Sequence, residues 1–326
     1  MTSVDIVIPC YNYAHFLPQC VQSVLVQGIE DVRIVIIDNA STDNSVEVAH
    51  RLAATDDRIE VICHQVNVGS HASFNEGVDL ARADYFMILC ADDLLMPGAL
   101  RLGMTLLDRF QEVSFVLGKH MAPWVGNDFP ALPAHADGWT LTNGDRLIET
   151  CCRKMKFNLT AHAMLVRTSV QKTVGHYRPS VPLLDDLEMA LRLARHGSVA
   201  ELSVPLAITR EHATNISQVM WHDALRRLQE YETVLKSFFA HEGGTMPNAS
   251  TLHRTVRHHL AAAAYWSAVS HLMRGKRAAG AELLKFGRRL DQASMLLPPI
   301  GHLFRMEGSL KRARQVILQV LASTRP

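Results

Sequence analysis

Two pairs of adjacent carboxylates stand out in this chain: Asp92-Asp93, which close the apolar run "YFMILCA", and Asp185-Asp186, which open "DDLEMALRLARHG". Like charges side by side repel unless something positive sits between or above them. For Asp92-Asp93 the candidates are a metal ion, a helix N-terminus or a basic partner. Capping the helix that should begin near Pro97 would use one carboxylate but not both. Paired hard oxygen donors suit Mg²⁺ or Mn²⁺. Asp185-Asp186 would favour the first turn of their helix through its dipole, and a carboxylate placed there is also the group type that takes a proton from a hydroxyl. A third polar cluster, Asp38, Asn39, Ser41, Thr42 and Asp43, follows "VRIVII" and has the composition of a turn.

The elements that must position these groups alternate. "VDIVIPC", "VRIVIIDN", "IEVICH" and "YFMILCA" read as strands. Between them "FLPQCVQSVLVQ", "NSVEVAHRLAA" and "SFNEGVDLARA" read as helices. Near-continuous Val/Ile runs separated by helices predict a parallel sheet covered on both faces. Ligands gather at the carboxyl ends of such strands. Three of those ends carry polar groups: Pro9 to Asn12, Asp38 to Asp43, and Asp92-Asp93. Beyond about residue 115 the pattern is less regular. "WVGNDFPALPAHADGW" reads as a long loop, "TAHAMLVRTSV" and "AELSVPLAITREH" as one strand each, and the chain from about 218 as mostly helical, with a hairpin turning at Gly275.

Composition narrows the class. Lys plus Arg (33) balances Asp plus Glu (32), which argues against a dedicated nucleic-acid binder. Hydrophobic content of 48% excludes a largely disordered chain. Six scattered cysteines without metal-type spacing read as free thiols, and with no basic n-region at the start a cytoplasmic location is expected. The segment "PCYNYAHFLPQ" after the first strand has no Gly, Lys or Arg, so neither a dinucleotide fingerprint nor a nucleotidyltransferase phosphate loop is present there.

"VIPCYN", "IIDNASTDNS", "NVGSHASFNEG", "ADD" and "DDLEMALRLARHG", in this order over roughly residues 3 to 217, resemble the family 2 inverting glycosyltransferases of the GT-A fold. The resemblance implies an α/β domain over residues 1–217, built on a nucleotide-binding sheet flanked by helices. A helical C-terminal domain over 218–326 would follow it. It implies a nucleotide-sugar donor, commonly a UDP-sugar, and a divalent cation that offsets charge on the departing diphosphate. The acceptor would be a glycan, glycolipid or other hydroxyl compound, and many relatives build bacterial surface glycans. Carried onto this sequence, Asp93 is a metal ligand and Asp92 faces the ribose or a metal-bound water. Asp38 hydrogen-bonds the base, Pro9 and Tyr11 flank it, and Asn75 lies near the donor. His212 approaches the metal or the diphosphate, and Asp186 is the base that deprotonates the acceptor.

Three positions depart from the family pattern: Cys90 stands where relatives commonly have Asp, Phe74 where many have Arg, and Asn39 where a second Asp is usual. These leave open an alternative, a catalytically weakened scaffold or binding protein, against which Asp93 and Asp186 argue. No QxxRW motif of processive synthases occurs, which favours transfer of a single sugar. At the C-terminus Leu310, Ala313, Ile317, Val320 and Leu321 form one stripe beside Lys311, Arg312 and Arg314. Such a helix fits peripheral contact with the inner face of a membrane, or packing on the hairpin or on a second copy of the chain.

Overall fold

A computed structural model describes residues 2–119, 138–155, 157, 164–210, 212, 215, 223–292 and 299. Most of the 124–139 loop and the whole basic segment from 308 lie outside the described residues. The chain divides into two compact units, residues 1–148 with 158–214, and residues 149–157 with 215–326. The second unit thus takes in a short stretch from the middle of the chain as well as its C-terminal part.

The first unit is built on an eight-stranded sheet. Strands β1 (Val4–Cys10), β2 (Val32–Asp38), β3 (Ile59–Cys63) and β4 (Tyr85–Ile88) lie parallel in the order β3-β2-β1-β4. Helices α1 (Leu17–Leu25), α2 (Ser45–Ala53) and α3 (Ser70–Leu80) connect them. In α1 the residues Leu17, Cys20, Val21 and Val24 are buried, the spacing of one helical face. A short β5 (Leu94–Leu95) and helix α4 (Ala99–Arg109) lead into β6 (Val113–Leu117). After β7 (Trp139–Asn143) and α5 (Gly144–Lys154) come β8 (Met164–Arg167), α6 (Thr168–Val174) and α7 (Asp185–Ala194), then β9 (Ser198–Leu202) and β10 (Ala207–Ile208).

The parallel pairing expected of the first four strands is found, and the far half of the sheet is mixed. Strand β8 inserts between β4 and β6 and runs antiparallel to both, β9 lies parallel to β6, and β7 closes the edge antiparallel to β9. Met164, Leu165 and Val166 of β8 are all buried, so its composition matches that of a parallel strand and its direction cannot be read from residue types. The stretch expected as a single strand over 200–212 is two, broken across Ser203 to Leu206. Pro205 has no N–H to give a ladder there. Similarly, Thr168 ends the β8 run by opening α6, and α3 begins at Ser70, three residues before the expected Ser73.

In the second unit α8 (Ala224–Ala240), α9 (Ala249–Met273) and α10 (Arg277–Leu290) share a core of Leu228, Leu235, Phe238, Leu252, Leu260 and Phe286. The expected hairpin turn falls between α9 and α10, where Gly275 takes a positive φ of 74° that a side chain would resist.

Candidate active site

The polar strand ends meet at one rim. At the end of β1, Asn12 adopts a left-handed φ of 60°, and its Oδ1 accepts the N–H of Thr42 at 2.7 Å and of Asp43 at 3.3 Å. Ala40, past the end of β2, has φ 59°, a conformation an alanine adopts only when its surroundings impose it. Asp38 is buried here. Its Oδ2 accepts the Ser41 N–H at 2.9 Å, while its Oδ1 is buried with no hydrogen-bond partner. Pro9 is half-buried beside Ile37 in the β1–β2 pairing, whereas Tyr11 is 43% exposed.

Asp92 and Asp93 sit in a tight turn after β4, closed by the Asp93 N–H donating to the Cys90 carbonyl at 2.9 Å. The Cys90 thiol and the two carboxylates bring their donor atoms within 4.8 Å of one another. Strand β5 follows at once and pairs antiparallel with β10, Leu94 opposite Ile208 and Leu95 opposite Ala207. This two-stranded ribbon delivers residues from 117 to 120 positions further along the chain to the acidic pair. His212 Nε2 lies 3.0 Å from Asp92 Oδ2, and the Arg210 N–H reaches Asp93 Oδ1 at 3.4 Å. Arg210 is buried, with Nη1 donating to Gln19 Oε1 at 2.6 Å and its guanidinium 4.4 Å from the centre of the Phe16 ring. The Tyr13 ring meets His212 edge-on at 5.6 Å. Burial first, then the Asp92 charge, holds the Tyr13 phenol well above its ordinary range.

The electrostatics of Asp93 speak to what the pair can hold. Burial, then repulsion from Asp92, pushes its carboxyl well above the usual range, with Arg210 only partly offsetting them. A buried carboxyl next to a second carboxylate and a thiol is a set of three donors that a divalent cation fits, since the cation would favour the ionised forms that burial and repulsion oppose.

The second acidic pair opens α7. Asp186 accepts the Leu187 N–H at 2.7 Å, and Asp185 lies 3.2 Å from His71 Nε2. That contact with Asp185 is the largest cause raising the His71 imidazole above its ordinary value. Burial, then the Asp185 charge, pushes Asp186 up to about 8. Several contacts hold this helix start in place. Asn75 Nδ2 donates to the Tyr177 carbonyl at 3.0 Å and its Oδ1 accepts the Tyr177 N–H at 2.7 Å. Buried Glu188 accepts from Arg178 at 2.6 Å and from Arg192 at 3.2 Å, and Arg192 also donates to the His176 carbonyl at 2.8 Å. Both amide ends of Asn75 are therefore engaged in clamping the segment that leads into the acidic pair. Phe74, where an Arg is common, packs edge-on against Tyr177 at 5.5 Å between ring centres.

Carboxylates of both pairs act on one thiol: burial, then Asp92, Asp93 and Asp185, raise Cys90 well above its ordinary range. Asp185, remote in sequence, is thus near enough for its charge to reach the turn that carries the first pair. Sequence reasoning placed Asp92, Asp93, Asp186 and His212 at this site but missed Arg210, Tyr13 and His71. Arg210 carried a faint signal, since it stands two residues before His212 at the end of an apolar strand. His71 carried none beyond its block. A buried carboxylate need not mark a site. Asp5, at the opposite end of β1, is a counterexample: burial raises it, yet hydrogen bonds from Arg33 and from the N–H groups of Arg82 and Ala83 outweigh this and leave it lowered.

The chain aligns at 33% identity over 110 residues, 33% of its length, with the glycosyltransferase GlyG of Streptococcus pneumoniae, and covers 35% of that protein. Among solved structures it is similar to the mannosyltransferase PcManGT of Pyrobaculum calidifontis in complex with GDP-Man and Mn²⁺, with TM-score 0.57 and 15% identity over 98% of this chain and 83% of that one. It is also similar to S. aureus TarS 1–349 in complex with UDP, with TM-score 0.54 and 14% identity over 89% and 92%. At these identities the solved structures establish the shared GT-A fold. The model of the family described as glycosyl transferase family 2 matches residues 5–174, just over half of the 326, from β1 through α6. The chain belongs to glycosyl transferase family 2.

Proposed function

We propose that this protein transfers one sugar from a nucleotide sugar, with UDP as the departing group, to a hydroxyl acceptor with inversion at the sugar carbon. The observation that carries the reading is the grouping of Cys90, Asp92 and Asp93 just past the carboxyl end of β4, with His212 against Asp92. Asp38, whose buried Oδ1 has no hydrogen-bond partner, would accept from the base, and the exposed Tyr11 would stack on it. Asp92 and Asp93 hold the cation, with His212 orienting Asp92. When bound, Mn²⁺ or Mg²⁺ supplies charge stabilisation for the diphosphate.

Asp186 receives the proton of the acceptor hydroxyl as its oxygen forms the bond to the sugar carbon. The bond from that carbon to the diphosphate breaks on the opposite face, and the electron pair leaves with UDP. A carboxyl raised to about 8 is a stronger proton acceptor than an ordinary aspartate once it is ionised. His71, drawing the Asp185 charge toward itself, leaves Asp186 as the member of the pair free to turn to the acceptor. Assembly of a bacterial surface glycan on the cytoplasmic side, with the basic C-terminal segment resting on the membrane, is the cellular setting we infer.

The test is a thermal-shift panel of UDP-, GDP- and dTDP-sugars with and without Mn²⁺. A ligand at 100 times its Kd should stabilise by about 2.7 kcal/mol. Asp93→Ala should abolish the metal-dependent part of the UDP shift and leave the fold intact. Unchanged Mn²⁺-dependent UDP affinity in that variant would show that Asp93 is not a ligand.

A further inference from the structure

We propose that Cys90 is itself a ligand of the cation held by Asp92 and Asp93, so that this centre favours zinc-like ions over Mg²⁺ more strongly than an all-oxygen site would. The inference rests on reading Asp92-Asp93 as the cation site, and adds to it the residue where this chain departs from its relatives.

The local geometry puts the thiol with the carboxylates. The hydrogen bond from the Asp93 N–H to the Cys90 carbonyl closes a four-residue turn, which folds the first and last side chains toward each other. As a result the thiol sulfur and one oxygen from each carboxylate fall within 4.8 Å. Two donors bound to one cation stand about 3.5 Å apart when each is about 2.0–2.3 Å from it, so small side-chain rotations suffice. Cys90 is half-buried and Asp93 buried. The neighbouring Cys20 does not compete, because its sulfur is directed to the Cys90 carbonyl at 3.5 Å.

The chemistry then sets the preference. A thiol binds a divalent ion as the thiolate, so on binding the S–H proton would pass to solvent and the sulfur lone pair it leaves would coordinate the metal. One proton is released from the thiol for each cation captured. A thiolate is a softer donor than a carboxylate, and sites with sulfur ligands select Zn²⁺ and Co²⁺ over Mg²⁺.

Cobalt makes the bond visible. The full chain, with UDP present, would be titrated with Co²⁺ while absorption and heat are recorded together, for the unmodified protein, Cys90→Ser, Cys90→Asp and Asp93→Asn. We expect a sulfur-to-cobalt charge-transfer band in the near ultraviolet only where Cys90 is present and Asp93 is intact. We also expect Cys90→Asp to bind Mg²⁺ and Mn²⁺ more tightly. Its Zn²⁺:Mg²⁺ affinity ratio should fall by at least the ~10-fold that even an outer partner of a ligand is worth. Cobalt heat without the band, in a protein whose cooperative melt is normal, would overturn the role of Cys90 while leaving the cation site standing. Absence of cobalt binding, or equal binding by Asp93→Asn, would overturn both readings together.

Discussion

Asp186 and Asp93 are both carboxyls held above their ordinary range by burial and by a neighbouring carboxylate, yet their surroundings suit them to different tasks. Asp93 sits with a thiol and a second carboxylate, a set that can grip a cation. Asp186 sits beside an Asp185 partnered by His71 and is aligned by its own helix turn. Asp186→Asn should leave UDP binding near normal and lower turnover by about 10²–10⁴. Residual transfer close to the unmodified rate would move the base role to Asp185. The same substitution has a stability signature whose sign follows from the raised value. The folded carboxyl binds its proton more tightly than the unfolded one, so the stability it contributes is complete below 3.8 and lost as pH rises through about 8. Asp186→Asn should therefore melt several degrees higher than the unmodified protein at about pH 8.5, with the gain shrinking toward about pH 4.5. A gain independent of pH would show that Asp186 is not raised in the folded state.

At the scale of elements, the site is a product of two joints. One is the β5–β10 ribbon, which begins directly after Asp93 and ends just before Arg210 and His212, so pairing two residues with two brings a cation, an imidazole and two carboxylates together. The other is the close seat of α3 on β1. A Cβ at Gly77 would stand 2.6 Å from Val7 Cγ1, and Val7 is a fully buried, β-branched side chain in the middle of its strand. Gly77→Ala should thus lower stability by about 1–3 kcal/mol through overpacking, despite alanine's better helix propensity. Urea unfolding checks this, and an unchanged or higher midpoint would mean that the helix can shift without loss. Because Asn75, two residues earlier, clamps Tyr177 ahead of α7, such a shift would also move Asp185 and Asp186.

The whole molecule combines a sheet unit that holds the candidate site with a helical unit whose own core is apolar and whose surface carries ion pairs such as Arg289 with Glu232 at 2.6 Å. Among the described residues no helix is long and apolar enough to cross a membrane. Net charge is only +1, so attraction to an anionic surface has to come from local concentration of basic residues, which the sequence supplies at Lys311, Arg312 and Arg314. Each Lys or Arg near such a surface contributes about 1 kcal/mol. The full chain should float with anionic liposomes at low salt, and a variant ending at Pro299 should not. Equal flotation of the two would assign the foothold elsewhere.

The sequence alone was enough for β1 to β4, the order of the blocks and the acidic pairs, because these are written in local terms. Val4 to Cys10 and Val32 to Asp38 are near-continuous apolar runs, almost wholly buried, and such a run is a property of consecutive positions. The same holds for Asp185-Asp186, whose place at a helix start is readable from the run that follows. Only the tertiary structure could decide the direction of β8, buried on both faces and so indifferent in composition to its pairing. It also decided that Asn75 spends both amide ends on Tyr177, and that Arg210 and His71 join carboxylates more than a hundred residues away. These depend on ladder pairings and buried contacts between distant segments, and a contact made across the fold leaves no periodicity in the chain that makes it.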